Sequence, residues 1–466
     1  MQTKIARWCL CAILSLSLFS APAAQIGAFA AAEDNQYSEG EFSKSYTELT
    51  KKVLLAGIAI ERFSLNYRKE TAREAKFRKL RFFAAQEAGA GCGLAFEIIG
   101  LKQFGLGRKR PLELDKGAVK GATVTAMTGS IIAGSGSLLE LASNIEHSFK
   151  LKKLGYDSKT ANKYVSSKLQ EIDKLLQERA NLVAANANHP AYQRALVEGK
   201  ILTSMRSAFV NEYAAFHNDT NTNRAFQNLF FILNASYNAM GATAAGLAYK
   251  AVETPVLNGP ANILFIISGA TAMATPFVSS GAGLLARKLS AHGLEKDLKE
   301  KVNFNPEEFA AQRRELESLS NSSSATGTLI PSLPATERLS LYTESGTLFR
   351  KQIESESRTM RELSKVALET SFLAPAIGSL LMTQGIFGTH GYFDYATKPR
   401  KQLDQFYRGS VCGTVGTGLA VVGNAAWFLA SLSYEHSLKK KENLPEQLIN
   451  KRLQHLDEME KLVQAL

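Results

Sequence analysis

Residues 254–286 read TPVLNGPANILFIISGATAMATPFVSSGAGLLA and contain no Asp, Glu, Lys or Arg; Arg287-Lys288 closes the stretch. About 20 apolar residues in a helix cross the hydrocarbon core of a bilayer, and this run is longer. Its Gly, Ala and Ser content suits helices that approach closely in lipid. It predicts a membrane hairpin element, and working outward from it gives five further candidates. These are 84–101, 121–139, 225–249, 370–393 and 409–434. The first of these is interrupted by Glu87 and Glu97; the others have no full charge inside. The expectation is an all-α integral membrane protein, with six transmembrane helices arranged as three hairpins (84–143, 225–286 and 366–434).

Between the apolar segments the chain is strongly polar, which explains how its mean hydropathy is slightly negative. Long amphipathic, charged helices of the coiled-coil kind are expected over 46–83, 150–183, 191–216, 336–365 and from 444 onward. His189-Pro190 is a break between two of them. Asn305-Pro306-Glu307 is a helix start, and 321–334 is a Ser/Thr/Pro-rich linker. At the N-terminus, Lys4 and Arg7 precede a short apolar stretch. The small residues Ala28-Phe29-Ala30-Ala31-Ala32 follow, so 1–32 reads as a signal peptide.

The 466 residues carry a formal charge of +12. The cations flank apolar segments: Arg78, Lys79 and Arg81, then Arg108 to Arg110, then Lys439 to Lys441. Such placement points to anionic lipid headgroups as partner rather than nucleic acid. Two of the three hairpin turns (108–116 and 398–401) are basic. With an exported N-terminus, the turns face the cytoplasm and the long polar arms are extracytoplasmic. A protein partner, or self-association, would use the charged helices.

A period of about 145 residues runs through the chain. His147, His292 and His436 follow the second segment of each hairpin. Leu141-Ala142-Ser143 and Leu429-Ala430-Ser431 precede the first and last of them. Gly57, Gly199 and Gly346 recur in the polar helices before the hairpins. These matches predict an internal triplication into units 33–188, 189–320 and 335–466.

Candidate chemistry is sparse. Glu97, Glu87, Glu140 and Glu369 lie in or beside apolar segments, where a carboxylate is costly and marks a polar path. Of these, Glu97 is expected to lie deepest. The three histidines are helix-end residues, with a metal or pH-sensing ring as the sharper reading. The pairs Gly89/Gly93, Gly117/Gly121 and Gly409/Gly413 have GxxxG spacing and are helix-packing candidates. Cys92 and Cys412 read as small apolar filler, and no cysteine or histidine spacing implies a metal, disulfide or cofactor. No phosphate loop, HExxH or GxSxG occurs. The sequence therefore favours a non-enzymatic scaffold or a path for a small solute. The alternatives are a membrane enzyme using the carboxylates and histidines, or a soluble exported helical protein with buried apolar hairpins.

Overall fold

The computed structural model describes residues 39–71, 78–299, 303–324, 373–440, 442 and 444–465. The leader 1–32, most of the linker, the polar helix expected at 336–365, Gly346 and Glu369 lie outside these residues. All regular structure among the described residues is helical, with no strand. In chain order the helices are α1 Glu39–Thr71, α2 Arg78–Lys109, α3 Lys116–Lys153, α4 Ser158–Ala185, α5 Tyr192–Ala251, α6 Asn258–Leu298 and α7 Pro306–Ser324. Then come α8 over 373–394, α9 Pro399–Lys440 and α10 Pro445–Ala465. α7 carries its helix into the first residues of the expected linker.

Local chemistry sets the boundaries. Asp115 caps α3, its Oδ1 accepting from the N–H groups of Gly117 at 2.8 Å and Ala118 at 3.1 Å. Asp157 does the same for α4 through Thr160 N–H, and Asn305 for α7 through Glu307 and Glu308. Gly155, with φ 77°, takes the left-handed turn between α3 and α4. Pro111 and Pro255 open short 3₁₀ turns between hairpin helices, and Pro399 and Pro445 start α9 and α10.

The helices build two storeys. In the first, α2/α3, α5/α6 and α8/α9 are antiparallel hairpins. Their six helices pack in one closed ring in the order α2–α3–α5–α6–α8–α9 and back to α2. All three turns lie at one end, where Lys120 pairs with Glu253 and Arg108 pairs with Asp404 at 3.3 Å. The opposite end carries Arg78 and Arg81 on Glu140, and Lys79 on Glu435.

The second storey stands on that opposite end. It is a head made of α1, α4, the first half of α5, the end of α6, α7 and α10. Its core is amphipathic-helix packing of an ordinary kind, with Ile60, Leu65, Ile172, Ile201, Leu202, Leu294, Ile449 and Leu456 fully buried. Each such side chain contributes about 1.5–3 kcal/mol relative to exposure. Two guanidiniums are buried with it. Arg179 meets Glu198 and the Tyr46 hydroxyl, and Arg452 forks onto both oxygens of Glu212 while its Nε donates to Glu61 at 2.6 Å.

One helix differs from its sequence reading. The polar helix at 191–216 and the apolar segment at 225–249 form a single helix of 60 residues, α5. That is about 90 Å at 1.5 Å per residue. The joint, His217-Asn218-Asp219-Thr220-Asn221-Thr222-Asn223, consists of weak helix formers. Tertiary bonds hold it: Asn221 Nδ2 donates to Ser290 Oγ at 2.9 Å and Thr220 Oγ1 to Thr71 Oγ1 at 3.2 Å, while within the helix Thr222 Oγ1 donates to the Asn218 carbonyl at 2.7 Å.

His217 sits in this joint, buried against the Tyr67 and Tyr213 rings and bonded to Ser290. Burial pushes its pKa below the ordinary value of 6.5; Arg224 acts in the same direction, while Asn218 and Asp297 oppose it. The folded protein thus resists a proton that the unfolded chain accepts. Its contribution to stability is complete above about pH 6.5 and is lost as pH falls from there through the lower folded value. The urea midpoint of the head is therefore expected to drop on acidification below about pH 6.5. His217→Gln, which keeps hydrogen-bonding capacity, is expected to flatten that part of the profile; an unchanged slope would acquit His217.

Candidate functional site

The ring is not filled. A cavity of about 300 Å³ is lined by side chains from all six hairpin helices. Its lining combines aromatic rings (Phe82, Phe96, Phe230, Tyr237, Phe265) with amides and hydroxyls, and no Lys, Arg or His lines it.

The polar side is a connected seam. Gln86 Nε2 donates to the Ala133 carbonyl at 3.0 Å. Ser137 Oγ donates to Asn234 Oδ1 at 2.7 Å, and Asn238 Nδ2 donates to the same oxygen at 2.9 Å. Asn234 Nδ2 in turn reaches the Tyr237 hydroxyl at 3.0 Å. These bonds tie α2, α3 and α5 together and satisfy most amide atoms, as a water-poor interior requires.

Across the ring stands Glu97. It is 2% exposed although it lies in the middle of α2. Gln384 Nε2 of α8 donates to its Oε1, and the Ser410 hydroxyl of α9 approaches the carboxyl more loosely. Its Oε2 makes no hydrogen bond. Gly413 is what admits the carboxyl: a Cβ there would collide with Glu97 Cδ and both oxygens. Nearly three turns nearer the head, Glu87 bonds Asn424 and leaves its Oε2 without a partner.

The other sequence candidates are placed as follows. Glu140 lies at the head end of α3, 2% exposed rather than reaching water. Arg78 Nε donates to its Oε2 at 2.7 Å and Arg81 Nη2 to its Oε1 at 2.6 Å, so its charge is matched locally. His147 is half-buried, whereas His292 and His436 are exposed. Among the described residues no group of three or more His, Cys, Asp or Glu side chains is placed to hold a metal ion.

The glycine pairs divide. A Cβ on Gly89 would stand 3.0 Å from the Gly129 carbonyl oxygen, and one on Gly93 3.2 Å from Thr417. Gly409 faces the Gln384 carbonyl oxygen at 3.1 Å. Gly121 has nothing within 4 Å and Gly117 meets only its own cap, Asp115, so this third pair faces no neighbouring helix closely. Its spacing is right, but α3 turns that stripe outward at the turn end.

Sequence reasoning singled out the carboxylates and passed over the amides. Gln86, Asn234, Asn238 and Gln384 stand in otherwise apolar segments. Asn234 and Asn238 are four apart, on one helix face, a signal that was available.

Three helical stretches among the described residues are long and apolar enough to cross a membrane: Lys116–Ala185, which includes α3, Pro255–Leu298, which includes α6, and Pro399–Lys440, which is α9. No family model matches the chain, and neither curated proteins nor solved structures offer a significant match.

Proposed function

We propose that this chain is a non-enzymatic integral membrane protein that crosses the bilayer six times, as three hairpins, and holds a small polar solute in the axis of their ring. The observation that carries the reading is the cavity to which all six helices contribute. The outside of the same ring exposes Ile131, Ile132, Leu138, Phe277, Leu284 and Val422. A polar axis inside an apolar exterior suits lipid outside and a solute within. Among the ring helices described, only α3, α6 and α9 fall in stretches long and apolar enough to cross a membrane by length and composition. The other three ring helices bring the amides and carboxylates that face the cavity, which lowers their hydropathy without presenting charge to lipid.

The same alternation supports descent from one repeated unit. In each hairpin the first helix is the polar one and the second the apolar one. Each repeated histidine lies within its second helix, in the last turns on the head side. In the head, α1, α4, α5, α7 and α10 follow one another in the same cyclic order as the hairpins below them: α1 packs on α4, α4 on α5, α5 on α7, and α10 on α1. The basic turn end, with Arg108, Lys109, Arg110, Lys116, Arg400 and Lys401, is read as cytoplasmic and the head as extracytoplasmic.

The test combines extraction with labelling. Carbonate-washed membranes are expected to retain the protein. Leu112→Cys in the first turn and Lys174→Cys on the head are expected to react with an impermeant maleimide from opposite sides of sealed vesicles. The native Cys92 and Cys412 thiols, half-buried in the ring, are expected to react only after denaturation. Release into the supernatant, or labelling of both introduced cysteines from one side, would remove the six-span reading.

A further inference from the structure

We infer that the axial cavity takes a small alkylammonium cation, with Glu97 as its counter-charge. This rests on the reading of the ring as a solute site and adds the chemical class.

Among its lining residues the cavity has a carboxylate and no cationic side chain. Glu97 is the one carboxylate among its lining residues, and it is almost wholly buried. Gln384, which also lines the cavity, donates to one carboxylate oxygen, and the other, Oε2, is buried without a hydrogen bond. A buried carboxylate oxygen without a donor is costly unless a proton or a cation completes it. No Lys, Arg or His among the lining residues supplies one, so a cationic ligand is the complement.

The aromatic lining selects among cations. Phe82, Phe96, Phe230, Phe265 and Tyr237 put ring faces or edges on the same space. Aromatic walls attract quaternary and primary ammonium groups through the ring quadrupole while sheltering their alkyl parts. An inorganic divalent ion is usually held by several carboxylate and other hard oxygen ligands, and among the described residues no group of three or more His, Cys, Asp or Glu side chains is placed to hold one. The volume, about 300 Å³, equals roughly ten water molecules at about 30 Å³ each, which bounds the ligand to a few carbons around one nitrogen.

Gly413 adds a geometric reason. Any side chain there would displace the Glu97 carboxyl. The helix contact between α2 and α9 is therefore built around that carboxyl.

The test is equilibrium dialysis of radiolabelled tetramethylammonium against the full chain in lipid nanodiscs, with urea as a neutral polar probe. Saturable binding of one tetramethylammonium per chain is expected, displaced by methylammonium and untouched by acetate. E97Q is expected to weaken it by roughly tenfold or more, since the counter-charge of a buried cation is gone. Should E97Q fail to fold, Phe265→Leu decides, and there a loss of several-fold is expected for tetramethylammonium with urea unchanged. Binding of urea alone would overturn the ammonium assignment and leave the polar-solute reading standing. Binding of neither probe would overturn both. Ammonium binding that neither variant weakens would remove Glu97 and the aromatic wall as its cause.

Discussion

Arg452→Met is expected to destabilise the head by about 3–5 kcal/mol, the cost of breaking a buried ion pair from one side. Arg452 is 8% exposed and forks onto Glu212 at 2.5 and 2.6 Å while its Nε donates to Glu61 at 2.6 Å. Burial alone would lower its pKa, but the two carboxylates outweigh this and raise it, so the guanidinium is charged at every accessible pH. The substitution leaves two buried carboxylates, on α1 and α5, facing each other without a cation. The measurement is the urea midpoint of the full chain followed by near-ultraviolet circular dichroism of the head tyrosines. The triple variant Glu61→Leu, Glu212→Leu, Arg452→Met removes all three charges and is expected to recover most of the loss, because an apolar filling of similar volume often matches a buried ion cluster. A single variant as stable as the wild type would show that the cluster contributes nothing. A triple variant as weak as the single would assign its effect to shape rather than charge.

The second large effect is expected at Gly269 and Gly378. A Cβ on Gly269 would lie 2.5 Å from Met382 N and 2.9 Å from the Gly378 carbonyl oxygen. One on Gly378 would lie 2.5 Å from Met273 N and 2.8 Å from the Gly269 carbonyl oxygen. The two glycines face each other across α6 and α8, backbone against backbone, and no flexible side chain can yield. Gly378→Leu is therefore expected to separate the second and third hairpins and open the ring, destabilising it by more than the roughly 1–3 kcal/mol of ordinary overpacking. A cysteine pair placed across the α6/α8 interface would report this directly. Its disulfide is expected to form in the parent and to be lost in Gly378→Leu. Unchanged crosslinking and thermal stability would mean that the contact is looser than its geometry. Gly281, which faces open space, is the control, and Gly281→Ala is expected to be nearly silent.

That same contact shows where a sequence reading stops. The GxxxG spacing picks out pairs of glycines on one helix, and it found Gly89, Gly93, Gly409 and Gly413. The tightest backbone approach between the second and third hairpins instead uses one glycine on each of two helices more than a hundred residues apart. Nothing in local spacing reveals such a pair. Glu97 makes the complementary point. Its depth was legible, because a carboxylate in the middle of an apolar run has few other places to be. That it faces Gln384 and Ser410 across a cavity depended on which flank of α2 meets α8 and α9. Glu140, with the same sequence signature, turned out to be matched by Arg78 and Arg81. The distinction between a spare carboxylate and a satisfied one is a matter of neighbours from other helices.

By itself, the sequence determined the all-helical class and, among the described residues, the apolar segments that pair into hairpins, the charged helices beside them and most of their boundaries. Those properties follow from hydropathy, period and capping, which act within a turn or two of the chain. The tertiary structure alone decided that α5 runs unbroken through seven weak helix formers, because bonds from Ser290 and Thr71 hold the joint. It alone decided that three hairpins close into a ring with a polar axis and a head above it. Closure depends on side chains distant in sequence meeting face to face, and the free energy of that meeting appears only when the helices are packed.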